Sequence, residues 1–225
     1  MRLLFALLAA LLLAPLAASA QVIHACVKNG GTIKIVADPA RGMLTGNRGI
    51  LHRPDRTLGR ARWRTRAWIA CRLTWRDVRR VPMSPGTWTE LFFLDEAVAL
   101  SAGHRPCAWC RREDYRRFQD AWTMAGLGPT TAPAMDAVLH PARLARAPDG
   151  ATHHARAAAL PDGAMILHAG RPALILGPRA LPFAPSGYGA PLPRPVGDVA
   201  VLTPAPLVAV LRAGYRPALH PSATG

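Results

Sequence analysis

Lysine is almost missing from this chain, although the chain as a whole is strongly basic. The sequence holds 28 lysines and arginines against 13 acidic residues, which gives a net charge of +15, yet the only lysines are Lys28 and Lys34. Both lie within residues 21–36, which read as a short strand pair around Gly30-Gly31. The change from lysine to arginine after this segment indicates either that it has a different history from the rest of the chain or, since two lysines are few, codon bias and chance.

The sequence also lacks the motifs of several enzyme classes. It has no glycine-rich phosphate loop, no recognisable pair of catalytic carboxylates and no serine–histidine nucleophile motif. The adjacent acids Asp95-Glu96 are better explained as favourable charge at the start of a helix. We therefore expect a binding module without robust catalysis.

Long apolar runs are absent after residue 20. Residues 1–20 begin with a single arginine, continue as a Leu/Ala run and end in Ala18-Ser19-Ala20, a pattern typical of a cleaved signal peptide. No later segment has the length of a bilayer span, so we expect no transmembrane span in the mature chain. The sequence thus predicts a secreted or periplasmic protein. The alternative is a cytoplasmic protein, if the N-terminal segment is not native to the main domain.

Cysteine is scarce, and its arrangement leaves two interpretations open. The chain has four cysteines, at positions 26, 71, 107 and 110. An even number in an exported chain allows two disulfides, with three alternative pairings. A Cys-x-x-Cys pair beside a third cysteine equally allows a zinc site. The count alone does not decide between a disulfide framework and a metal.

Alternating and helical patterns in the remaining chain indicate an α+β fold. The predicted helix at 95–103 has Asp95 as its N-cap and Gly103 as its stop. The next helix begins, by prediction, at Cys107. In chain order the predicted elements are strands at 67–75 and 87–94, helices at 95–103, 107–124 and about 134–147, a hairpin at 164–177 and a strand at 198–203.

A strand–helix–turn unit occurs twice in the sequence. The segment "EAVALSAGHRPCAW" at 96–109 aligns without gaps on "LVAVLRAGYRPALH" at 207–220, and a predicted strand precedes each copy. Thr203-Pro204 is predicted to be the N-cap and first-turn pair of the second helix. The second copy has Ala218 in the place of Cys107 and Pro221 in the place of Cys110. The Gly-aromatic-Arg-Pro turn is therefore explained by folding alone, because it recurs without cysteines. The two cysteines of the first copy need a separate explanation.

Composition divides the chain into five parts. These are a signal peptide at 1–20, a short strand segment at 21–36, an arginine-rich region with the cysteine cluster at 37–125, a connection rich in Pro, Ala and Arg at 126–160, and a β-rich region at 161–225 that ends in the second helix–turn copy.

The cysteine pair at the predicted helix start is a candidate half of a zinc site. Zinc takes four ligands in a tetrahedron, and two cysteines separated by two residues can meet one ion. A helix N-terminus and the nearby arginines, at positions 105, 111 and 112, favour the thiolate form of Cys107 and Cys110.

Cys71 is the best candidate for a third ligand. It shares one face of the predicted strand with Ile69, Leu73 and Trp75, and this face points inward. A small buried hydrophobic residue is an equally good interpretation of Cys71. For a fourth ligand the sequence offers His104 or His52, and no pattern supports either one.

Residues 92–112 resemble the metal-binding domain of the Ada DNA-repair methyltransferase family. That family has a strand with Phe, a helix with Glu-Ala and then Ala-Gly-aromatic-Arg-Pro-Cys-x-x-Cys followed by a basic residue. The matching residues are Phe92, Glu96, Ala97, Ala102, Gly103, Arg105, Pro106, Cys107, Cys110 and Arg111. The resemblance covers about a tenth of the chain. It implies that this part of the α+β fold is an Ada-like zinc-binding half.

The same resemblance implies a set of ligands. In that family the last two cysteines bind zinc, which corresponds here to Cys107 and Cys110. Two further ligands come from an upstream Cys-Arg-x-x-Cys run, whose start matches Cys71-Arg72, whereas Trp75 stands in the place of its second cysteine. The wider region from residue 44 to residue 222 also resembles a group of bacterial proteins of unknown function, which implies no mechanism.

Two enzymatic interpretations of the Cys-x-x-Cys pair fit less well. A zinc deaminase needs a His-x-Glu upstream, and the nearest candidate, Trp88-Thr89-Glu90, has no ligand in the place of the histidine. A thioredoxin-type pair directly follows a strand, whereas a helix and a turn precede this one. The alternative to a zinc module is therefore an exported disulfide-stabilised or thiol-redox protein without metal.

Arginines interleaved with tryptophans suit a phosphate backbone and stacked bases. Residues 41–80 hold twelve arginines and only two acids, Asp55 and Asp77. We therefore predict binding of nucleic acid or another polyanion, while a basic surface without a partner is the alternative. The candidate residues for this surface are Arg62, Arg64, Arg66, Arg72, Arg105, Arg111 and Arg112.

Overall fold

The computed structural model describes residues 23–27, 33–37, 42–76 and 81–224. The predicted signal peptide and the predicted turn at Gly30-Gly31 lie outside these residues. The described chain is a mixed α+β fold, as the sequence predicts. None of the helices in the described part is long and apolar enough to cross a membrane.

Thirteen strands and four helices make up the described fold. The strands are β1 (Ile23–Val27), β2 (Ile33–Ala37), β3 (Leu44–Asn47), β4 (Ile69–Arg72), β5 (Leu91–Phe93), β6 (Arg105–Pro106), β7 (His153–Arg156), β8 (Met165–His168), β9 (Arg171–Leu176), β10 (Arg179–Ala184), β11 (Gly187–Tyr188), β12 (Leu192–Pro193) and β13 (Asp198–Val201). The helices are α1 (Glu96–Ser101), α2 (Arg112–Met124), α3 (Ala132–Leu144) and α4 (Ala205–Arg212).

The strands form two sheets. The first sheet has the order β2-β1-β5-β3-β4-β6, in which β1 lies parallel to β5 and β4 parallel to β6, while the other neighbours are antiparallel. The second has the order β11-β10-β9-β8-β13-β7, with β12 paired to β10, and is antiparallel throughout. The predicted N-terminal strand pair is thus part of the first sheet, beside β5.

The predicted strand–helix–turn unit is present twice. In the first copy β5 leads into α1, and the Asp95 side chain accepts a hydrogen bond from the Val98 N–H at 3.0 Å, as expected of an N-cap. In the second copy β13 leads into α4. Gly103 and Gly214 follow the two helices with φ of +84° and +106°, a conformation that favours glycine.

Two predicted details of these units are wrong. The helix after the cysteine pair begins at Arg112, not at Cys107, because residues 108–111 form a turn before it. Thr203 does not cap α4, since its hydroxyl accepts a hydrogen bond from the Met165 N–H instead.

Two apolar cores hold the sheets and helices together. The first packs the β3 and β5 side chains Leu44 and Phe93 with Met165 and Leu181 of the second sheet. The second lies beneath the helices and includes Phe118, Trp122, Met135, Leu139, Leu207 and Val201. Both cores draw side chains from before residue 126 and after residue 160, so the described residues of these two regions pack together.

Glu96 joins the two copies of the repeated unit. Its side chain is only 1% exposed and accepts hydrogen bonds from the Arg111 guanidinium at 2.7 Å, the Tyr215 hydroxyl at 2.7 Å and the Ala218 N–H at 3.0 Å. Arg111 directly follows Cys110, so this buried network fixes one end of the cysteine turn. Charge at a helix start is therefore only part of the explanation for Glu96.

Candidate metal centre

Three cysteines that are distant in sequence meet at one edge of the first sheet. The parallel pairing of β4 with β6 places Ala70 opposite Pro106, and the Cys107 N–H donates to the Ala70 carbonyl at 3.0 Å. The residues that follow these partners are Cys71 and Cys107, and the turn after Cys107 returns Cys110 to the same place. The three sulfur atoms lie within 4.8 Å of one another and form a candidate metal centre.

Two backbone N–H groups point at the sulfurs. The Trp109 N–H donates to the Sγ of Cys107 and the Arg72 N–H to the Sγ of Cys110, each at 3.4 Å. Hydrogen bonds of this kind favour the charged form of the acceptor. The sequence predicts a helix start at Cys107, but the helix begins five residues later. The two N–H groups replace part of the thiolate stabilisation that a helix N-terminus at Cys107 would give.

The thiols influence each other's protonation. The pKa of Cys107 lies well below its usual value, because the neighbouring thiols of Cys110 and Cys71 donate to its sulfur. The pKa values of Cys71 and Cys110 are raised, in each case chiefly by the hydrogen bond to Cys107. The three sulfurs therefore form one hydrogen-bonded cluster in which Cys107 is the most acidic thiol. A cation that binds all three sulfurs displaces the remaining protons.

Neither histidine considered as a fourth ligand belongs to the cluster. His104 is buried between Trp68 and Phe93, and its Nε2 accepts a hydrogen bond from the Arg48 Nε at 3.2 Å. The His52 Nδ1 is hydrogen-bonded to the Thr89 hydroxyl at 2.7 Å. Within the described residues, no histidine, aspartate or glutamate joins the three sulfurs in their group.

A cavity of about 440 Å³ opens beside the sulfurs, and its lining includes all three cysteines. The predicted strand face of Ile69, Cys71, Leu73 and Trp75 lines this cavity, so it faces an empty space and not the apolar core. The core side of the same strand carries Ala70. Trp75 is thus a wall of the cavity.

Sequence reasoning missed the polar residues of the cavity. Buried side-chain atoms without a hydrogen-bond partner in the described part of the chain include the Thr45 Oγ1, the Trp75 Nε1 and the Glu90 Oε1, all in residues that line this space. An unsatisfied buried group costs about 1–3 kcal/mol. Glu90 was considered only as part of a deaminase His-x-Glu motif. The pairing of β3 with β4 and β5, which brings Glu90 to the same cavity as the cysteines, cannot be predicted from the sequence.

The structure divides the candidate polyanion residues into two groups. Arg105 and Arg111 are each 3% exposed. Arg105 is paired with Asp136 and Arg111 with Glu96, each at 2.7 Å, so both charges are neutralised in the interior and do not lie on the surface. For these two residues the prediction of a surface role is corrected. The exposed members of the set are Arg62, Arg64, Arg66, Arg72 and Arg112.

Comparison of the chain with family models, with curated proteins and with solved structures finds no match in any of the three.

Proposed function

We propose that the protein is a zinc-binding module in which the thiolates of Cys71, Cys107 and Cys110 hold the ion. The observation that carries this proposal is the separation of the sulfurs, which all lie within 4.8 Å of one another. Tetrahedral Zn–S bonds of about 2.3 Å place sulfurs about 3.8 Å apart, so a small contraction closes the site. Soft thiolate ligands select zinc over magnesium or calcium. The Ada-like pattern around Cys107 and Cys110 supports the same assignment.

The alternative function is that of an exported thiol-redox or disulfide-stabilised protein. Strand β6 directly precedes Cys107, so the difference from a thioredoxin-type pair that the sequence predicts is absent. Cys71, Cys107 and Cys110 are free in the structure. A Cys107–Cys110 bond would leave Cys71 alone and would remove two of the three thiolates. The two functions therefore differ in the oxidation state of freshly isolated protein.

Metal analysis combined with a thiol count tests the zinc proposal. We expect about one zinc per chain in reduced protein, and an increase of three in the number of reactive thiols when a chelator is added, because the ion protects its ligands. The same thiol count in denaturant gives the total number of thiols in the chain. Absence of zinc from reduced protein contradicts the proposal, and a Cys107–Cys110 disulfide in unreduced material supports the redox alternative.

A polyanion-binding surface is the second candidate, and we propose it for the segment around Trp63. Its arginines at 62, 64 and 66 are exposed at every second position, and Trp63 itself is 37% exposed. Residues 56–76 contain no acidic residue. Phosphate or other anionic groups on nucleic acid, lipid or polysaccharide would meet positive charge and an aromatic face here.

Salt-dependent binding to a fluorescently labelled single-stranded oligonucleotide tests this surface. Replacing the three arginines at 62, 64 and 66 by alanine should lower the log–log salt slope by about 2, since each neutralised phosphate contributes about 0.7. The matched control removes the same charge from other exposed positions, Arg116, Arg156 and Arg171. An equal loss in both variants means that only net charge matters, and this result contradicts a defined surface.

A further inference from the structure

The floor of the cavity is one face of the first sheet. Thr45 on β3 lies directly opposite Cys71 on β4 and opposite Phe92 on β5. Residues opposite each other in antiparallel strands point to the same side of the sheet. Phe92, Thr45 and Cys71 therefore form a row across three strands, and all three line the cavity. The metal site is thus at one end of a surface that continues for two further strands.

Polar atoms without partners lie along this surface. Thr45 and Glu90 are each 6% exposed, and the Thr45 hydroxyl and one Glu90 carboxylate oxygen have no hydrogen-bond partner among the described residues. The other Glu90 oxygen accepts a hydrogen bond from the Met83 N–H at 2.8 Å, which fixes the carboxylate. The indole N–H of Trp75 likewise has no partner within the described part of the chain. The residues that line the cavity therefore include a fixed carboxylate oxygen, a hydroxyl and an indole N–H that have no partner among the described residues.

The walls of the cavity are aromatic. Trp75, Trp88, Trp109 and Phe92 contribute to its lining, and Trp109 at the rim is 70% exposed. Flat aromatic side chains select flat ligands, because ring stacking needs a planar partner. A volume of about 440 Å³ falls within the range of small-molecule sites.

The charges around the cavity favour a neutral ligand. Three thiolates on a divalent ion leave a net charge of −1, and Glu90 contributes a second negative charge. The guanidinium groups of Arg72 and Arg76, which also line the cavity, balance these two charges. Neither a strongly anionic nor a strongly cationic molecule gains from this arrangement.

The coordination of the ion connects these features. Zinc is four-coordinate, and zinc sites that keep three protein ligands leave the fourth position for water or a small molecule. The sulfurs line the cavity, and no described histidine or carboxylate completes their group. A ligand in the cavity therefore has access to the ion.

We propose that the cavity is a binding site for a small, neutral, flat nitrogen heterocycle. A ring nitrogen takes the fourth position on the ion, an N–H of the ring donates to Glu90, and the ring packs against the tryptophans. This inference rests on the proposed zinc site, because the ring nitrogen needs the ion as its partner. It assigns a role to Glu90 and Trp75, which metal binding alone does not require.

Cobalt(II) in place of zinc gives a direct readout, because its visible bands respond to a change of ligand. We expect benzimidazole to change the bands of the Co²⁺-loaded protein in a saturable way. It should bind about tenfold more tightly than imidazole, since the second ring adds stacking contact. Normal Co²⁺ loading without any change on addition of benzimidazole overturns the ligand site and leaves the zinc proposal intact. Failure to bind either Co²⁺ or Zn²⁺ removes both.

Variants of the polar residues test the orientation of the ligand. Glu90→Gln keeps an oxygen for the Met83 N–H but loses the charged acceptor, and should weaken benzimidazole binding about tenfold or more with unchanged Co²⁺ affinity. The matched control is Glu113→Gln at an exposed position in the first turn of α2. Equal benzimidazole affinity in Glu90→Gln and in the control overturns the proposal.

Discussion

Replacement of Glu96 by alanine lowers the free energy of unfolding by about 3–5 kcal/mol, the usual cost of removing one partner from a buried ion pair. Arg111 is 3% exposed, and its guanidinium lies 2.7 Å from the Glu96 carboxylate. Asp114 also contacts Arg111, at 2.8 Å, but it is more exposed than Glu96 and compensates only in part. The loss is therefore dominated by a cation left in the interior without its best partner.

The same substitution removes two further hydrogen bonds that link distant parts of the chain. The Tyr215 hydroxyl and the Ala218 N–H both donate to Glu96, and each loses its acceptor in the alanine variant. Tyr215 is buried, and the adjacent carboxylate contributes, after burial itself, to a pKa above its usual value. The effect should therefore exceed that of deleting a side chain of similar size from a purely apolar contact.

Urea denaturation in reducing buffer with a chelator measures this loss without any contribution from metal. Glu113→Ala is the matched control, because it removes an exposed glutamate in the first turn of α2 and should change stability by about 0.3–1 kcal/mol at most. Glu96→Gln should lie between the two, since it retains oxygen and nitrogen at the site but not the charge. If Glu96→Ala loses no more unfolding free energy than Glu113→Ala, the buried hydrogen bonds of Glu96 do not have the structural role that we assign to them.

Local features of the fold were predictable from the sequence because each depends on a few neighbouring residues. Asp95 caps α1 through the N–H three residues later, and Gly103 takes the positive φ that ends the helix. The predicted hairpin also forms, as β8 and β9 pair in antiparallel register. In each case the decisive interaction spans at most about a dozen residues.

The cavity beside the cysteines was not predictable, because it depends on pairing between distant strands. β6 has only two residues, and nothing in its sequence indicates that it pairs in parallel with β4. The alternation of side chains along a strand predicts correctly that Ile69, Cys71 and Leu73 share one face. Whether that face meets a core or a cavity depends on β3 and β5, whose register the sequence does not reveal.

Burial of arginines was also beyond the reach of local reasoning. Arg105 and Arg112 look alike in a basic stretch, yet Arg105 is buried against Asp136 and Arg112 is exposed. The carboxylate that allows Arg105 to be buried belongs to Asp136, which is 31 residues away in the sequence. A count of positive charges therefore overestimates the surface that a polyanion can meet.

We expect zinc at a free concentration one thousand times its Kd to raise the free energy of unfolding of the wild-type protein by about 4.1 kcal/mol, and Cys71→Ser to remove most of this increase. A serine hydroxyl is not among the usual zinc ligands, and the remaining pair holds only two of the three positions. If the Kd rises about a thousandfold, the increase at the same zinc concentration falls to about 0.4 kcal/mol. Denaturation curves with and without zinc measure both values.

The decisive comparison is with Leu73→Ser, which places the same side chain on the same face of the chain two residues later. Leu73 is 42% exposed and lines the cavity, but it has no atom that binds metal. This variant should keep the full zinc-dependent increase, with a small loss of stability in the chelator. If Cys71 is only a small buried hydrophobic residue, Cys71→Ser behaves like Leu73→Ser and retains the increase. That result would contradict a three-thiolate site, because the Cys-x-x-Cys pair alone would then account for all of the zinc-dependent stability.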